Sequence, residues 1–265
     1  MKILIIGATG YIGTRVAAAL AGAGHEVVAL TRPGAANPPY ATVTADLADP
    51  ASLTGAATGF DRVVHAGPPL GAEADLAGVD ALLAAGSPVV YTTGAAVLGA
   101  GAVDEDSPPA PHPIAAWRPE VERRVLAAGG WVIRPGLVYG HGGGLVHGLL
   151  AAKAAERGGG VYIGEPGVRW PVVHVDDLSD LYVAVVRSAA PGTVWHGMAE
   201  TARLDAIARA LGGGRASSWP VEEAKAELGP LADLFTRDQD VSAAKTRELL
   251  GWTPRHTSVI AHLTA

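Results

Sequence analysis

Large aliphatic side chains fill every position from Ile3 to Ile6 and stop at Gly7. An unbroken apolar run of this length, rich in β-branched residues, predicts a strand buried on both faces, as in a parallel sheet. From Thr14 to Leu20 the pattern changes: Val16, Ala17 and Leu20 recur at helical spacing with Arg15 as the only charge, and a helix is predicted. The alternation then repeats. Glu26 to Leu30, Thr42 to Thr44, Asp61 to His65, Pro88 to Thr93 and Trp131 to Arg134 read as strands. Helices are predicted at about Asp49 to Ala57, Glu73 to Ala85 and Trp117 to Ala128, with Pro50 and Pro119 in the first turns of the first and last. Strands alternating with helices in this way predict an α/β fold, a Rossmann doubly wound parallel sheet.

Beyond Val138 the alternation loosens, which predicts a small, interleaved C-terminal substrate lobe. A helix is expected from about Leu145 to Arg157 and a short strand around Val161 to Ile163. Val172 to Val175 reads as a strand meeting Asp176, the expected N-cap of a helix down to about Arg187. Thr193 to His196 is the expected last strand of the main sheet, and three more helices are expected near Arg203 to Leu211, Val221 to Leu228 and Ser242 to Leu250. The predicted division is a dinucleotide-binding core of residues 1–137 plus about 172–196, and a substrate lobe of residues 138–171 and 197–265. The stretch from Gly99 to Pro113, rich in Gly, Pro and Asp and without helical period, is expected to be a surface excursion over the site.

Between the first strand and helix stand Gly7, Gly10 and Gly13, with two residues between each pair. That spacing turns the backbone tightly and aims the helix's unpaired amides at a pyrophosphate, so Gly7, Thr9, Gly10, Tyr11, Ile12 and Gly13 are the expected cradle of a dinucleotide. The second strand runs into Thr31-Arg32-Pro33-Gly34, and no Asp or Glu occurs from Val27 to Tyr40. An acidic residue at this edge would bind a ribose 2′-hydroxyl, whereas an arginine accommodates a 2′-phosphate. Arg32 therefore puts NADP(H) ahead of NAD(H). Asp46 and Leu47, beyond the third strand, are expected near the adenine, with Asp46 alternatively a simple cap. Ala66 and Gly67 would let a cofactor approach the fourth strand closely. Thr92 and Pro135, at the carboxyl ends of the next two strands, complete the expected cofactor set, and His65 is taken as structural.

Composition narrows the partners. In 265 residues the net charge is −6, the basic residues are scattered, and nucleic acid is excluded as a partner. No apolar run approaches the roughly 20 residues of a membrane span, and the first residues read as a core strand rather than a leader, so a cytoplasmic protein acting on a small molecule is expected. Zero cysteines exclude disulfides, thiolate metal sites and a cysteine nucleophile. No metal is expected either: His174-Val175-Asp176-Asp177 reads as a strand-to-helix junction, not a ligand set.

Several of these stretches occur together, and in the same order, in one known family. Gly7-Ala8-Thr9-Gly10-Tyr11-Ile12-Gly13, Val63-Val64-His65-Ala66, Tyr91-Thr92-Thr93 leading to Val97-Leu98-Gly99, Arg134 to Gly140, Val172 to Leu178, and the closing Leu249 to Pro254 resemble the extended short-chain dehydrogenases/reductases, the NAD(P)-dependent epimerase/dehydratase group. The resemblance covers nearly the whole chain, and it implies pairing as a homodimer through the helices expected at 73–85 and 117–128. It also implies a Ser or Thr after the fifth strand and a Tyr followed four residues later by a Lys, the pair that moves the proton and grips the nicotinamide ribose. None of the six tyrosines, at 11, 40, 91, 139, 162 and 182, has that lysine; the only lysines are at 2, 153, 225 and 245. Depending on register, Trp117 and Val121, or Ile114 and Arg118, stand in for the pair, and neither Trp nor Ile can exchange a proton. The usual hydroxyl falls on Gly94, with Thr93 one residue short. The chain thus resembles an atypical branch. Thr93, Arg118, Tyr139 and His141 are the candidate catalytic residues, His112 and His147 lie on loops expected at the same opening, and Trp117, Arg169, Trp170 and His174 are the expected substrate pocket. The expected function is an NADP(H)-dependent oxidoreductase reducing a small carbonyl or imine-like substrate. A nucleotide-bound lyase, isomerase or cyclase, and a silent NADP sensor, remain alternatives.

Overall fold

The computed structural model describes residues 1–35 and 38–265. The first half runs β1 (Lys2–Ile6), α1 (Tyr11–Gly22), β2 (Glu26–Thr31), β3 (Ala41–Thr44), α2 (Pro50–Ala57), β4 (Arg62–His65), α3 (Ala72–Ala84), β5 (Val89–Thr92), β6 (Gly101–Val103), α4 (Arg118–Ala127) and β7 (Trp131–Pro135). The second runs β8 (Leu137–Tyr139), a π-helical turn (Val146–Ala151) leading into α5 (Ala152–Arg157), β9 (Gly160–Ile163), β10 (Arg169–His174), α6 (Val175–Ser188), β11 (Thr193–Gly197), β12 (Glu200–Arg203), α7 (Leu204–Leu211), β13 (Ala216–Trp219), α8 (Val221–Leu228), α9 (Leu231–Leu234), β14 (Gln239–Val241), α10 (Ala244–Leu250) and α11 (Val259–Thr264).

Seven strands form one parallel sheet in the order β11-β7-β5-β4-β1-β2-β3. Successive side chains point to opposite faces, and the continuous apolar strands bury both. Ile3, Ile5, Val64, Val90 and Ile133 pack beneath α1 and α6; Leu4, Ile6, Val63, Val89 and Val132 pack beneath α2, α3 and α4. At about 1.5–3 kcal/mol for each fully buried aliphatic side chain, these two layers dominate the stability of the sheet. The strand order reverses beside β1, whose neighbours are β2 and β4. A reversal of this kind opens a crevice outside the carboxyl ends of the strands, and ligands bind there.

A third apolar cluster holds the second half, joining Leu137, Val146, Leu150, Ile163, Trp170, Ile207, Trp219, Phe235 and Val259. Its strands pair as β12-β10-β8 and β13-β9, so Val172 to His174 lies in this small sheet and not in the main one. Two local expectations change. The stretch from Gly99 to Pro113 is strapped to the chain's end: β6 pairs in parallel with β14, and buried Glu105 accepts from both Thr246 N and Thr246 Oγ1 at 2.8 Å. The cap of α6 is His174, whose Nδ1 accepts from Asp176 N at 3.2 Å, so Asp176 sits inside the first turn. The strands β12 and β13 and the helices α9 and α11 are too short to show a periodic pattern in the sequence. Among the described residues no helix is long and apolar enough to cross a membrane.

Candidate active site

β1 ends where Gly7 takes φ +83° and turns the chain. A Cβ on Gly7 would stand 2.6 Å from Ala66 O, and one on Gly13 would stand 2.0 Å from Gly7 O. Both obstacles are backbone, so only glycine fits. Gly10 caps α1; its N–H donates to Gly7 O at 2.9 Å, and Thr14 N makes the first helical bond, to Gly10 O. The amides of Tyr11, Ile12 and Gly13 precede that bond, and no side chain caps them. Three unshared amides at the positive end of a helix fit a pyrophosphate. Thr9 lies exposed on the lip of this turn.

The walls follow the expected plan in part. A Cβ on Gly67 would come 2.9 Å from Leu47 Cδ1, so the loops after β3 and β4 close on one another. Asp46 Oδ1 accepts from Ala48 N at 2.9 Å and closes a turn in the loop, while the cap of α2 is Asp49, whose Oδ1 accepts from Ala51 N. Arg32 is exposed directly after β2, while Ala36 and Asn37, within the acid-free stretch, lie outside the described residues. Of the other expected cofactor residues, the Thr92 hydroxyl pairs with Tyr182 OH of α6 at 2.5 Å, and Pro135 is buried in β7 beside Gly197.

A buried ion pair stands at the carboxyl end of β5. Glu122 accepts from Arg134 Nε and Nη2 at 3.1 and 2.6 Å, both side chains almost wholly buried, and it also accepts from Thr93 Oγ1 at 2.6 Å. The Thr93 proton is therefore engaged by a carboxylate and is not available to a substrate. Arg118 reaches the same strand end: Nη1 donates to Thr93 O at 3.3 Å and Nη2 to Thr92 O at 3.4 Å. Trp117 turns the other way, its Nε1 donating to Asp75 Oδ2 at 2.8 Å on α3. Of the two registers, the one that sets Arg118 in place of the family lysine is thus the one whose side chain arrives at β5. Gly94 is not enforced by crowding, since a Cβ there would meet only Pro135 O, at 3.7 Å. Beneath Arg118, His65 and Tyr91 meet edge to face at 5.1 Å. Burial, reinforced by the Arg118 charge, holds His65 down at about 4, and burial raises Tyr91.

The second-half loops touch the glycine turn through Tyr11, whose hydroxyl donates to Gly140 O at 2.8 Å while Gly143 and Gly144 pack on its ring. His141, at φ +49°, pairs its Nε2 with Asp176 Oδ2 at 2.8 Å and is partly exposed. His141, His174 and Asp176 bring donor atoms within 4.8 Å of one another, close enough for a metal. The Nδ1 lone pair of His174, however, already accepts the Asp176 amide. His174 stacks on His256 at 3.8 Å, and burial, together with the neighbouring His256, holds it down at about 4.

Five expected roles change. Tyr139 is fully buried, its hydroxyl donating to His256 O at 3.4 Å, and burial with the nearby Glu200 and Asp177 pushes its ionisation up; it packs and does not trade protons with an open site. Arg169 is held by Asp238 and Asp240 at 2.8 to 3.1 Å. Trp170 stacks on Phe235 at 5.3 Å inside the second-half core. His112 is buried and caps its own turn through Ile114 N at 3.3 Å. His147 is half-buried and faces His262 at 6.5 Å.

The sequence pattern of the NAD dependent epimerase/dehydratase family matches residues 3–112. A 3-diazoavenalumate denitrifying reductase from a Streptomyces species is 31% identical over 97% of this chain and 97% of its own. An uncharacterized Saccharomyces cerevisiae protein is 29% identical over 100% of this chain and 98% of its own. Among solved structures, a human epimerase family protein with NADPH superposes at TM-score 0.79 with 22% identity, covering 100% of this chain and 98% of that one. A Thermus thermophilus UDP-glucose 4-epimerase complex with NAD superposes at 0.78 with 20% identity, covering 99% of each. The chain belongs to the NAD-dependent epimerase/dehydratase family of extended short-chain dehydrogenases/reductases.

Proposed function

We propose that this protein is an NADP(H)-dependent oxidoreductase that reduces a small carbonyl or imine-like substrate. The observation that carries the reading is the glycine turn, with three unshared amides at the start of α1 and no room for a Cβ at Gly7 or Gly13. Gly7, Gly10, Tyr11, Ile12 and Gly13 would hold the pyrophosphate, Leu47 and Ala66-Gly67 the flanks, and Arg32 the 2′-phosphate. The reductase among the relatives supports the redox class.

The nicotinamide, when bound, supplies hydride. The chain's own contribution lies at the end of β5. Arg118 orients the substrate there, on the side of the sheet where the crevice opens. The side chains nearby offer no ready acid: Thr93 donates to Glu122, Tyr91 and Tyr139 are buried with raised ionisation, and His65 is buried and neutral. At the end of β5 the proton that follows hydride therefore comes from water, with His141, partly exposed and paired with Asp176, the one expected acid that is neither buried nor bonded to Glu122.

Fluorescence titration with NADPH and NADH tests the cofactor assignment. Wild type should prefer NADPH, and Arg32→Ala should lose about 1.5–3 kcal/mol of that preference, the worth of a hydrogen bond to a charged group. Equal affinities in wild type, or an unchanged preference in the variant, would sink the assignment.

A further inference from the structure

Among the described residues no carboxylate makes an ion pair with Arg118. Its two backbone hydrogen bonds are long and go to neutral carbonyls, its guanidinium lies 5.8 Å from the centre of the Tyr91 ring, and its Nε has no partner among the described residues. The carboxylates that share its surroundings are engaged elsewhere. Asp75 accepts Leu70 N on Oδ1 and Trp117 Nε1 on Oδ2, and Glu122 is clamped by Arg134 and Thr93. A half-buried charge left alone is unfavourable, and a guanidinium presents a planar fork of donors that matches two oxygens better than one. A ketone or imine has a single acceptor atom. A carboxylate has two and brings the missing charge.

Exposed apolar side chains stand on loops that adjoin these elements. Among the described residues five large apolar side chains are exposed, and three of them, Leu70, Ile114 and Leu145, sit on the segments that follow β4, β6 and β8. They are tied to the site. Leu70 N is bonded to Asp75, which holds Trp117 next to Arg118; Ile114 lies four residues before Arg118; and Leu145 follows Gly144, which packs on the Tyr11 ring. Exposed leucine and isoleucine at a site rim lose water contact only when a ligand with an apolar body covers them.

We propose that the substrate is a small carboxylic acid with an apolar body, its carboxylate held by Arg118 and its body lying against Leu70, Ile114 and Leu145. This rests on the oxidoreductase reading for the reducible group, but the binding claim stands on Arg118 and the rim alone.

The test is calorimetric titration of the NADP⁺-bound protein with three probes: 3-phenylpropanoate, 3-phenylpropanamide and acetate. The phenylpropanoate should bind about tenfold or more tighter than either the amide, which lacks the charge, or acetate, which lacks the body. In Arg118→Gln the advantage of acid over amide should vanish, and Arg118→Lys should keep part of it because charge remains while the fork is lost. Equal affinity for acid and amide in the wild type overturns the proposal, and so does no detectable binding of the acid. Acetate as tight as phenylpropanoate overturns the apolar half. A preference that survives Arg118→Gln, or a variant that loses NADP⁺ and not the acid, also overturns it, the latter by assigning the guanidinium to the cofactor ribose. Should Arg118→Gln fail to fold, the wild-type comparison decides. Because none of these readouts needs turnover, failure of the oxidoreductase reading would appear separately, as absent hydride transfer with the binding pattern intact.

Discussion

Gly13→Ala examines the cofactor cradle with a single methyl group. The new Cβ would stand 2.0 Å from Gly7 O and 2.6 Å from Gly7 C, where real Cβ contacts are essentially never under 3.0 Å. The difference is about 1 Å, and both obstacles are backbone atoms that cannot rotate aside. The first turn of α1 must therefore shift, carrying the amides of Tyr11 and Ile12 out of line with a pyrophosphate. Losing one hydrogen bond to a charged group costs about 1.5–3 kcal/mol, which weakens NADPH by roughly 10–150-fold. Gly22→Ala is the matched control: it lies at the other end of the same helix, where a Cβ meets nothing within 4 Å, and should bind NADPH as wild type does. Its helix should gain up to about 1 kcal/mol. NADPH fluorescence titrations on both variants, with thermal unfolding of the same samples, separate loss of the cradle from loss of the fold. Equal NADPH affinity for the two alanine variants would refute the reasoning.

Glu122→Ala should cost about 3–5 kcal/mol in urea unfolding, because it strands the buried Arg134 guanidinium and the Thr93 hydroxyl; a loss under about 1 kcal/mol would show that the pair is not as desolvated as its burial indicates. His65 and His174, both held at about 4 by burial, link stability to pH. Their folded values lie below the unfolded value near 6.5, so their contribution is full above about pH 6.5 and falls as pH drops toward 4, by up to about 3 kcal/mol each. Urea midpoints measured from pH 7.5 to 4.5 should decline through that window, and a flat profile after correction for other groups would contradict it. Tyr139→Phe should leave turnover unchanged and cost no more than about 1 kcal/mol of stability, since it removes one long hydrogen bond; a tenfold fall in kcat would restore Tyr139 to the chemistry.

The main sheet was legible because its signal is local. Ile3 to Ile6, Gly7, Gly10 and Gly13 announce strand, turn and helix within a dozen residues, and each later strand repeats the apolar run that two-sided burial demands. What stayed hidden is long-range. β6 and β14 are three-residue strands whose partners lie far apart in sequence, so neither carries a pattern of its own. Glu122 sits among Glu120, Arg123 and Arg124, which do face solvent, and only helix phase with β7 packed beneath it reveals that this one charge points inward. Arg169 and Trp170 looked like pocket residues by resemblance, but Asp238, Asp240 and Phe235, which claim them, arrive from the far end of the chain. Arg118 could be placed in sequence, yet its lack of a counter-ion depends on what Asp75 and Glu122 are doing, and that is visible only in three dimensions.

The central claim is that the crevice over Gly7 to Gly13 serves hydride transfer to a substrate at the end of β5. Incubation with NADPH deuterated stereospecifically at C4, together with a panel of small apolar oxo acids and their imines, measures this directly by mass spectrometry of the product. The account predicts one deuterium in the product from a single face of the cofactor, in step with NADPH consumption. Product formed without label would contradict it and assign the fold to non-redox chemistry.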